Sequence, residues 1–362
     1  MVYNFVARLI ARLGFIAFWI GVIALFVYFS PITNLLLKPP RSISVATWPD
    51  YIDEDSVREF EKKTGVTVYI NFYENNEELL SKLELTKSRG FDLVLPTDSS
   101  TRTLIKNGML KKLDKSKLNF WKDLDSRLLG HYFDPKNEYS IPYYWDLIGI
   151  GYDKAAFKGA PVNSWSLLFE EGVTLGHVGM TDDPGEVIFT AAQYLFGSIK
   201  DLSKEQLEQV KELLLKQKRW VESYSDLRGE FLLYSKTSSA AMIPSFQVWS
   251  GIKSGQFNDL GFMVPKDAFM LIDNVVIPKS GSNTDLVYEF INFLYKKDVL
   301  RINSDLHGFL PSRKDLMLER NNSHMVGAEN LSTLKDFKKF SFFDSSISRQ
   351  DLNQVWLAVK AA

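Results

Sequence analysis

Two aromatic residues and a carboxylate stand together after a short apolar stretch, in an order that could bind an organic cation. Residues 43–47 have the composition of a buried strand, and Pro49 ends it because proline has no N–H for a strand ladder. Trp48, Asp50 and Tyr51 therefore lie just past the carboxyl end of a strand. Aromatic rings attract organic cations through cation–π contact, and a carboxylate pairs with their charge. The alternative is that the two rings simply cover the end of the sheet.

Polar side chains follow two later predicted strands in the same way. Thr97 and Ser99 come after the third strand, and Asp183 and Glu186 follow a strand in the second half of the chain. Ligands bind beyond the carboxyl ends of strands in open α/β sheets, so both pairs are candidates for a site. Both pairs also stand at the start of a predicted helix, where hydroxyl and acidic side chains stabilise the free N–H groups, so helix capping is the alternative.

A further carboxylate, Asp273, lies within an apolar run that predicts a buried strand. Burying a charge is costly unless it is paired, so Asp273 is expected either in an internal ion pair or facing a ligand. A bound cation would give Asp183, Glu186 and Asp273 a common role, with Trp48 and Tyr51 packed against its apolar part.

The elements that must position these residues alternate between strand and helix. Strands at 43–47, 66–72 and 91–95 are separated by helices that start near Asp53 and Asn75. Such β-α-β units form parallel sheets with right-handed crossovers. The long aromatic stretch at 139–153 is typical of a strand that crosses between two lobes. The sequence therefore predicts an α/β fold.

The composition excludes several classes of function. The 362 residues, of which 45% are hydrophobic, suffice for one large or two medium domains. The formal net charge of -1 gives no indication of nucleic-acid binding. The absence of cysteine excludes disulfides, thiolate metal sites and cysteine nucleophiles. The four histidines have no metal-ligand spacing, so neither a metal nor another cofactor is predicted.

The N-terminal segment predicts a membrane anchor. Arg8 and Arg12 precede an uncharged run that is long enough to cross a hydrocarbon core of about 30 Å. The arginines orient the N-terminus toward the cytoplasm. Residues 1–12 are therefore assigned to the cytoplasm, 13–34 to an uncleaved signal-anchor helix in the bacterial inner membrane, and 35–42 to a linker. The alternative is a cleaved signal peptide, which would leave a soluble periplasmic protein.

From about Ser42 onward the chain resembles the polyamine-binding proteins of bacterial ABC importers, the spermidine/putrescine periplasmic binding proteins. The resemblance rests on long collinear motifs: Trp48-x-x-Tyr51-Ile52, Tyr73-Glu74-x-Asn76-Glu77, Phe91-Asp92-Leu93-Val94-x-Pro96, the run from Leu113 to Leu118, Tyr139-Ser140-Ile141-Pro142-Tyr143, Thr181-Asp182-Asp183, Asp273 before Val275-Val276-Ile277-Pro278, and Ile291-Asn292-Phe293-Leu294.

The resemblance implies a periplasmic-binding-protein fold of two α/β lobes with a ligand cleft between them. Residues 43–147 and 274–310 would form the first lobe, and 148–273 and 311–362 the second. It also implies that the protein is not an enzyme. The chain would act as a monomer that captures a polyamine and delivers it to ABC permease subunits with a cytoplasmic ATPase.

The resemblance also assigns roles to individual residues. It matches Trp48 and Tyr51 to the family's first aromatic pair, and Asp50 to an acid present in some members. Asp183 and Glu186 match the acidic pair of the family's second lobe. Asp273 matches the family's central ammonium-binding aspartate, and Thr97 stands where the family has a small hydroxyl residue.

The chain departs from the family mainly in the aromatic lining of the site. Pro244 and Leu271 replace aromatic residues, Ser99 replaces a ligand-contacting tyrosine of the spermidine binder, and Gln247 replaces an acid of the putrescine binder. Each lost aromatic contact removes about 0.5–2 kcal/mol of binding free energy. The candidates for refilling this space are Phe246, Phe269 and Trp249.

Three alternative functions stay open. The depleted lining is compatible with the same fold binding another small cation or an amino-acid-like solute. Asp183 and Glu186 could instead form the acid/base pair of a hydrolase. A tethered sensor or adhesin could retain the fold without transport.

Overall fold

The computed structural model describes residues 12–23 and 41–362, apart from 160, 175, 226–228, 254, 256, 266, 283, 321–336, 338–339 and 345–346. Residues 12–23 form an exposed helix. Within the described residues, no helix is long and apolar enough to span a bilayer. Residues 24–34 of the predicted anchor, residues 35–40 of the predicted linker and residues 1–11 of the predicted cytoplasmic segment lie outside the described residues.

The first part of the chain alternates strand and helix as predicted. Its elements are β1 (Ser42–Thr47), α1 (Glu54–Thr64), β2 (Thr67–Phe72), α2 (Asn76–Thr86), β3 (Leu93–Val94) and α3 (Asp98–Lys106). β1 is the central strand and pairs in parallel with β2 and with β3. The side chains of Asp53 and Asn75 accept the N–H groups of Ser56 and Glu78 and so cap α1 and α2.

The middle of the chain begins with a long buried strand and then builds a second set of layers. Its elements are β4 (Ser140–Asp153), α4 (Ser166–Phe169), β5 (Val178–Met180), α5 (Pro184–Phe196), α6 (Lys204–Gln217), β6 (Val221–Tyr224), α7 (Gly229–Tyr234), β7 (Ala240–Pro244), α8 (Ser245–Lys253) and β8 (Leu260–Met263). Gly149 in β4 has no room for a side chain, because a Cβ there would lie 2.5 Å from the carbonyl oxygen of Met263.

The last part of the chain returns to the first set of layers and then ends on the second. It comprises β9 (Phe269–Val276), α9 (Thr284–Leu294), α10 (Lys297–His307), β10 (Leu310–Pro311), α11 (Lys314–Arg320) and α12 (Arg349–Ala361). The strands form one continuous sheet in the order β2-β1-β3-β9-β4-β7-β5-β6, with β8 and β10 also paired to β4. β4 and β9 are antiparallel and join the two ends of this sheet.

Two large hydrophobic cores lie on the two sides of this β4–β9 junction. The first includes Ile43 of β1 and Phe290 of α9, and the second includes Val178 of β5 and Ile188 of α5. Along β4 the change occurs at one step, because Tyr143 and Tyr144 belong to the first core whereas Trp145 and Leu147 belong to the second. This arrangement gives a mixed α/β fold with two cores, while the lobe boundaries given above stay a prediction.

Candidate ligand-binding site

The turn that follows β1 brings two aromatic rings together. The Trp48 ring is half-buried, and its centroid lies 4.7 Å from that of Tyr73 and 6.3 Å from that of Tyr51. Asp50 has a left-handed φ of 63°, which an aspartate tolerates better than most side chains, and it is exposed. This turn directs the Tyr51 ring back over the sheet, where it is buried.

Tyr51 connects the first strand to the embedded carboxylate of β9. Its hydroxyl donates a 2.7 Å hydrogen bond to Oδ2 of Asp273. The hydroxyl of Tyr144 in β4 donates to the carbonyl of Tyr51 at 3.1 Å and so fixes the turn. The Tyr51 ring also contacts the Phe309 ring at 4.6 Å. The sequence interpretation missed Phe309, which immediately precedes β10.

Asp273 is 6% exposed, and no lysine, arginine or histidine of the described chain forms an ion pair with it. Burial raises the pKa of Asp273 to about 8, and the nearby carboxylates Asp98 and Asp146 raise it further, against the hydrogen bond from Tyr51. Of the two predicted explanations for this residue, an internal ion pair is therefore absent from the described part of the chain. A bound ammonium group would displace the proton of this carboxyl and supply the positive charge that the described chain does not place beside it.

The register of β4 and β9 places two acids on one face of the sheet. Asp273 and Leu271 are alternate residues of β9, so both side chains project from the same face. In the antiparallel register Tyr144 is opposite Asp273, and Asp146 is opposite Leu271. Directly paired residues also share a face, which puts the Asp146 and Asp273 side chains on the same side.

Asp146 is a buried carboxylate that the sequence interpretation missed. It accepts the backbone N–H groups of Leu147 at 2.7 Å, Ser245 at 3.1 Å and Phe246 at 3.0 Å, and also the Ser245 hydroxyl. Asp146 thus holds the first turn of α8 against β4. Burial raises its pKa to about 6, although these donors favour the charged form. An acid inside an aromatic strand was the signal that could have revealed it.

Asp98, which lies between Thr97 and Ser99, is the third buried carboxyl of this region. It is 1% exposed, and its Oδ2 accepts the Tyr132 hydroxyl at 2.8 Å, whereas Oδ1 has no partner among the described residues. Burial raises the pKa of Asp98 to about 7, against the hydrogen bond from Tyr132. The described part of the chain contains no cluster of three or more His, Cys, Asp or Glu side chains that could hold a metal ion.

A cleft of about 230 Å³ is lined by residues from both parts of the sheet. Thr97 and Ser99 reach it from the start of α3, and Asp183 and Glu186 reach it from the start of α5. The Thr97 hydroxyl donates to Oδ1 of Asn76 at 2.9 Å and lies 3.2 Å from the Ser99 hydroxyl. Four of the predicted site residues therefore share one cleft.

The acidic pair of this cleft also caps a helix. Oδ1 of Asp183 accepts the backbone N–H of Glu186 at 2.9 Å, which is the capping role weighed against a ligand role. The neighbouring Asp182 pairs with Lys360 at 2.8 Å. The side chains of Asp183 and Glu186 also line the cleft, so capping and a ligand role are compatible.

As far as the described residues define it, the lining of this cleft does not include the other predicted site residues, which are Trp48, Asp50, Tyr51, Gln247 and Asp273. Gln247 is buried in α8, and Asp50 is exposed on the turn after β1. Among the candidates for refilling the aromatic lining, Phe246 contacts Phe309 at 4.4 Å and so extends the group around Tyr51, whereas Phe269 is fully buried.

Two ion pairs link the helices of the first part of the chain to the C-terminal segment beside the cleft. Glu77 in α2 pairs with Arg349 in α12, and Arg102 in α3 pairs with Asp344. Glu77, Arg102 and Arg349 also line the cleft. Both arginines are therefore neutralised by acids of the opposite part, which limits their repulsion of a cationic ligand.

Comparison with known proteins supports the family resemblance that the sequence motifs indicate. Residues 55–324 match the family model for bacterial extracellular solute-binding proteins. The putrescine-binding periplasmic protein SpuD of Pseudomonas aeruginosa is 34% identical over 285 residues, covering 74% of this chain and 77% of that protein. The putrescine-binding periplasmic protein PotF of Escherichia coli is 32% identical over 290 residues, covering 75% and 77%.

Solved structures share the fold. A protein of Listeria monocytogenes superposes with a TM-score of 0.78 at 26% identity, covering 88% of this chain and 99% of that one. The spermidine/putrescine substrate-binding protein PotD of Streptococcus pneumoniae superposes with a TM-score of 0.74, covering 89% and 99%, and its 22% identity supports the fold alone. This chain therefore belongs to the bacterial extracellular solute-binding proteins, within the polyamine-binding family of ABC importers that its motifs resemble.

Proposed function

We propose that this chain is the extracytoplasmic solute-binding component of an ABC importer and that its ligand is a polyamine such as putrescine or spermidine. The observation that carries the proposal is the buried Asp273 carboxyl. Its hydrogen bond comes from Tyr51, and it has no ion-pair partner in the described chain. An ammonium group supplies the missing charge. The names of the polyamine-binding relatives support this class of ligand.

The proposed ligand pose uses both sets of acids. Asp273 holds one ammonium group, and Asp183 and Glu186, which line the cleft, attract another. The methylene chain between them packs against the rings of Trp48 and Tyr51. Binding two ammonium groups at separate carboxylates selects for diamines over monoamines, because each charge-assisted contact contributes about 1.5–3 kcal/mol.

Transport follows from lobe closure rather than from covalent chemistry. A ligand that contacts both lobes shifts the population toward the closed arrangement, which the permease recognises. The Glu77–Arg349 and Arg102–Asp344 ion pairs bridge the two parts of the chain and stabilise the same arrangement. We include in the proposal that the protein is a monomer and that residues 13–34 anchor it at the periplasmic face of the inner membrane. The alternative is a soluble periplasmic protein from which this N-terminal segment has been cleaved.

The test is calorimetric titration of the full-length purified chain with putrescine and spermidine, together with n-butylamine and an amino acid as comparison ligands. We expect saturable binding of at least one polyamine and much weaker binding of the monoamine. No heat with either polyamine up to millimolar concentration would overturn the polyamine assignment, and saturable binding of the amino acid alone would favour the alternative solute. Mass spectrometry of the recovered ligand tests for hydrolysis, because a binding protein returns its ligand unchanged.

A further inference from the structure

The cleft has an aromatic wall that comes from segments outside the family motifs. Phe343 and Tyr132 line the cleft together with Leu271, Asp183 and Glu186. Leu271 stands where the family commonly has an aromatic residue, so the lining was expected to be poor at this point.

Phe343 is held in place by the segment formed by residues 340–344. The backbone N–H of Ser341 donates to the carbonyl of Ala268 at 3.0 Å, and the carbonyl of Ser341 accepts the N–H of Met270 at 2.8 Å. The Phe343 ring stacks on Phe269 with a centroid distance of 4.1 Å and an interplanar angle of 14°. The segment therefore adds to the start of β9 and presents the half-buried Phe343 ring next to Leu271.

Tyr132 is positioned by an otherwise unexplained buried acid. Its hydroxyl donates to Oδ2 of Asp98, and its ring contacts Phe342 at 5.3 Å and lies 5.5 Å from the Arg102 guanidinium. Arg102 in turn pairs with Asp344. The 340–344 segment, Arg102 and Asp98 therefore fix the Tyr132 ring from several directions, which lowers the entropic cost of using it as a binding surface.

We propose that Phe343 and Tyr132 form a second aromatic wall that packs against the methylene chain of the ligand, in place of the aromatic residue lost at Leu271. Asp98 acts as a positioning residue for Tyr132. The inference rests on the proposed polyamine function. The two rings stand beside the acidic pair, so the chemistry that fits is a methylene chain next to an ammonium group, which gains both apolar burial and cation–π attraction.

The experiment compares Phe343→Leu with Phe157→Leu in the full-length chain by calorimetric titration with putrescine and spermidine. Phe157 is the matched control because it is also half-buried, contacts the Tyr152 ring and does not line the described cleft. We expect Phe343→Leu to weaken polyamine binding about fivefold to thirtyfold and Phe157→Leu to change it less than threefold. Tyr132→Leu should weaken it by a similar factor, and Tyr132→Phe, which keeps the ring, by less.

Thermal unfolding of each variant shows whether it is folded, and Tyr132→Leu serves as the readout if Phe343→Leu does not fold. Parent-like affinity in folded Phe343→Leu or Tyr132→Leu would overturn the aromatic wall and leave the polyamine function intact. An equal loss in Phe157→Leu would overturn it as well, because the effect would then not depend on the cleft. No polyamine binding by the parent chain would instead overturn the proposed function, and with it this inference.

Discussion

The hydroxyl of Tyr51 donates a 2.7 Å hydrogen bond to the buried carboxyl of Asp273, although 222 positions separate the two residues in the chain. The bond joins the turn after β1 to the strand that crosses into the second part of the sheet. It supplies one donor to the carboxyl, and the described chain adds no positive charge. Tyr51 therefore orients Asp273 without neutralising it.

Removing the Tyr51 hydroxyl should weaken ligand binding. The hydrogen bond favours the charged form of Asp273, so Tyr51→Phe should raise the pKa of Asp273 further and lower polyamine affinity about threefold to tenfold, equivalent to about 1 kcal/mol. Titration calorimetry at pH 7 measures the change. Tyr144→Phe is the control, because that hydroxyl bonds to the Tyr51 carbonyl and not to Asp273. An equal loss in both variants would assign the effect to the turn instead.

Ligand binding should release a proton. With a pKa of about 8, Asp273 is protonated in about nine of ten molecules at pH 7. An ammonium group requires the carboxylate, so its binding expels that proton, and apparent affinity rises with pH up to about pH 8. Titration in buffers of different ionisation enthalpy counts the protons. We expect about one near pH 6.5 and about half of one near pH 8, where the ligand's ammonium groups still keep their protons. Proton uptake would contradict the assignment.

The ligand-free protein should show a matching dependence of stability on pH. A carboxyl with a raised folded-state pKa stabilises the fold when protonated, and this contribution is lost as pH rises from about 4 through the folded-state value. For Asp273 that window extends to about pH 8. Asp273→Asn, which cannot ionise, should therefore gain stability relative to the parent between pH 5 and pH 9. Urea unfolding of both proteins at the two pH values gives the difference, and a constant difference would mean that Asp273 ionises normally.

Asp146 should matter for stability. Replacing it with alanine leaves the N–H groups of Ser245 and Phe246 without their acceptor, which should cost about 2–4 kcal/mol of unfolding free energy. Asp146→Asn keeps one acceptor oxygen and should cost less. Asp259→Ala, in the exposed turn before β8, is the surface control, with an expected change within about 0.5 kcal/mol. A negligible effect of Asp146→Ala in urea unfolding would show that α8 does not depend on this acid.

The first part of the fold follows from local sequence signals. Asp53 and Asn75 cap the helices that they were predicted to begin, and Gly65 ends α1 with a left-handed φ of 68°. The positions of Trp48 and Tyr51 past β1 also follow from Pro49, which is a local cause. These features depend on residues within a few positions of each other, so a single sequence contains them.

The remainder of the candidate site depends on contacts between distant segments. Asp98 has the same local pattern as a helix cap, and only the contact with Tyr132 distinguishes it. Phe309 and Phe343 follow no strand-end pattern, because short strand pairings and the 340–344 segment bring them to the site. Asp146 acquires its role from α8, about 100 positions away in sequence.

The most direct test of the central claim is the binding of putrescine and spermidine to Asp273→Asn, measured by titration calorimetry beside the parent chain at pH 8.5. At this pH most parent molecules carry the Asp273 carboxylate, so the variant differs in charge at nearly constant shape. The account predicts that affinity falls by at least about tenfold, because a charge-assisted contact that contributes about 1.5–3 kcal/mol is lost. An affinity within about threefold of the parent in a folded variant would show that Asp273 does not hold the ammonium group.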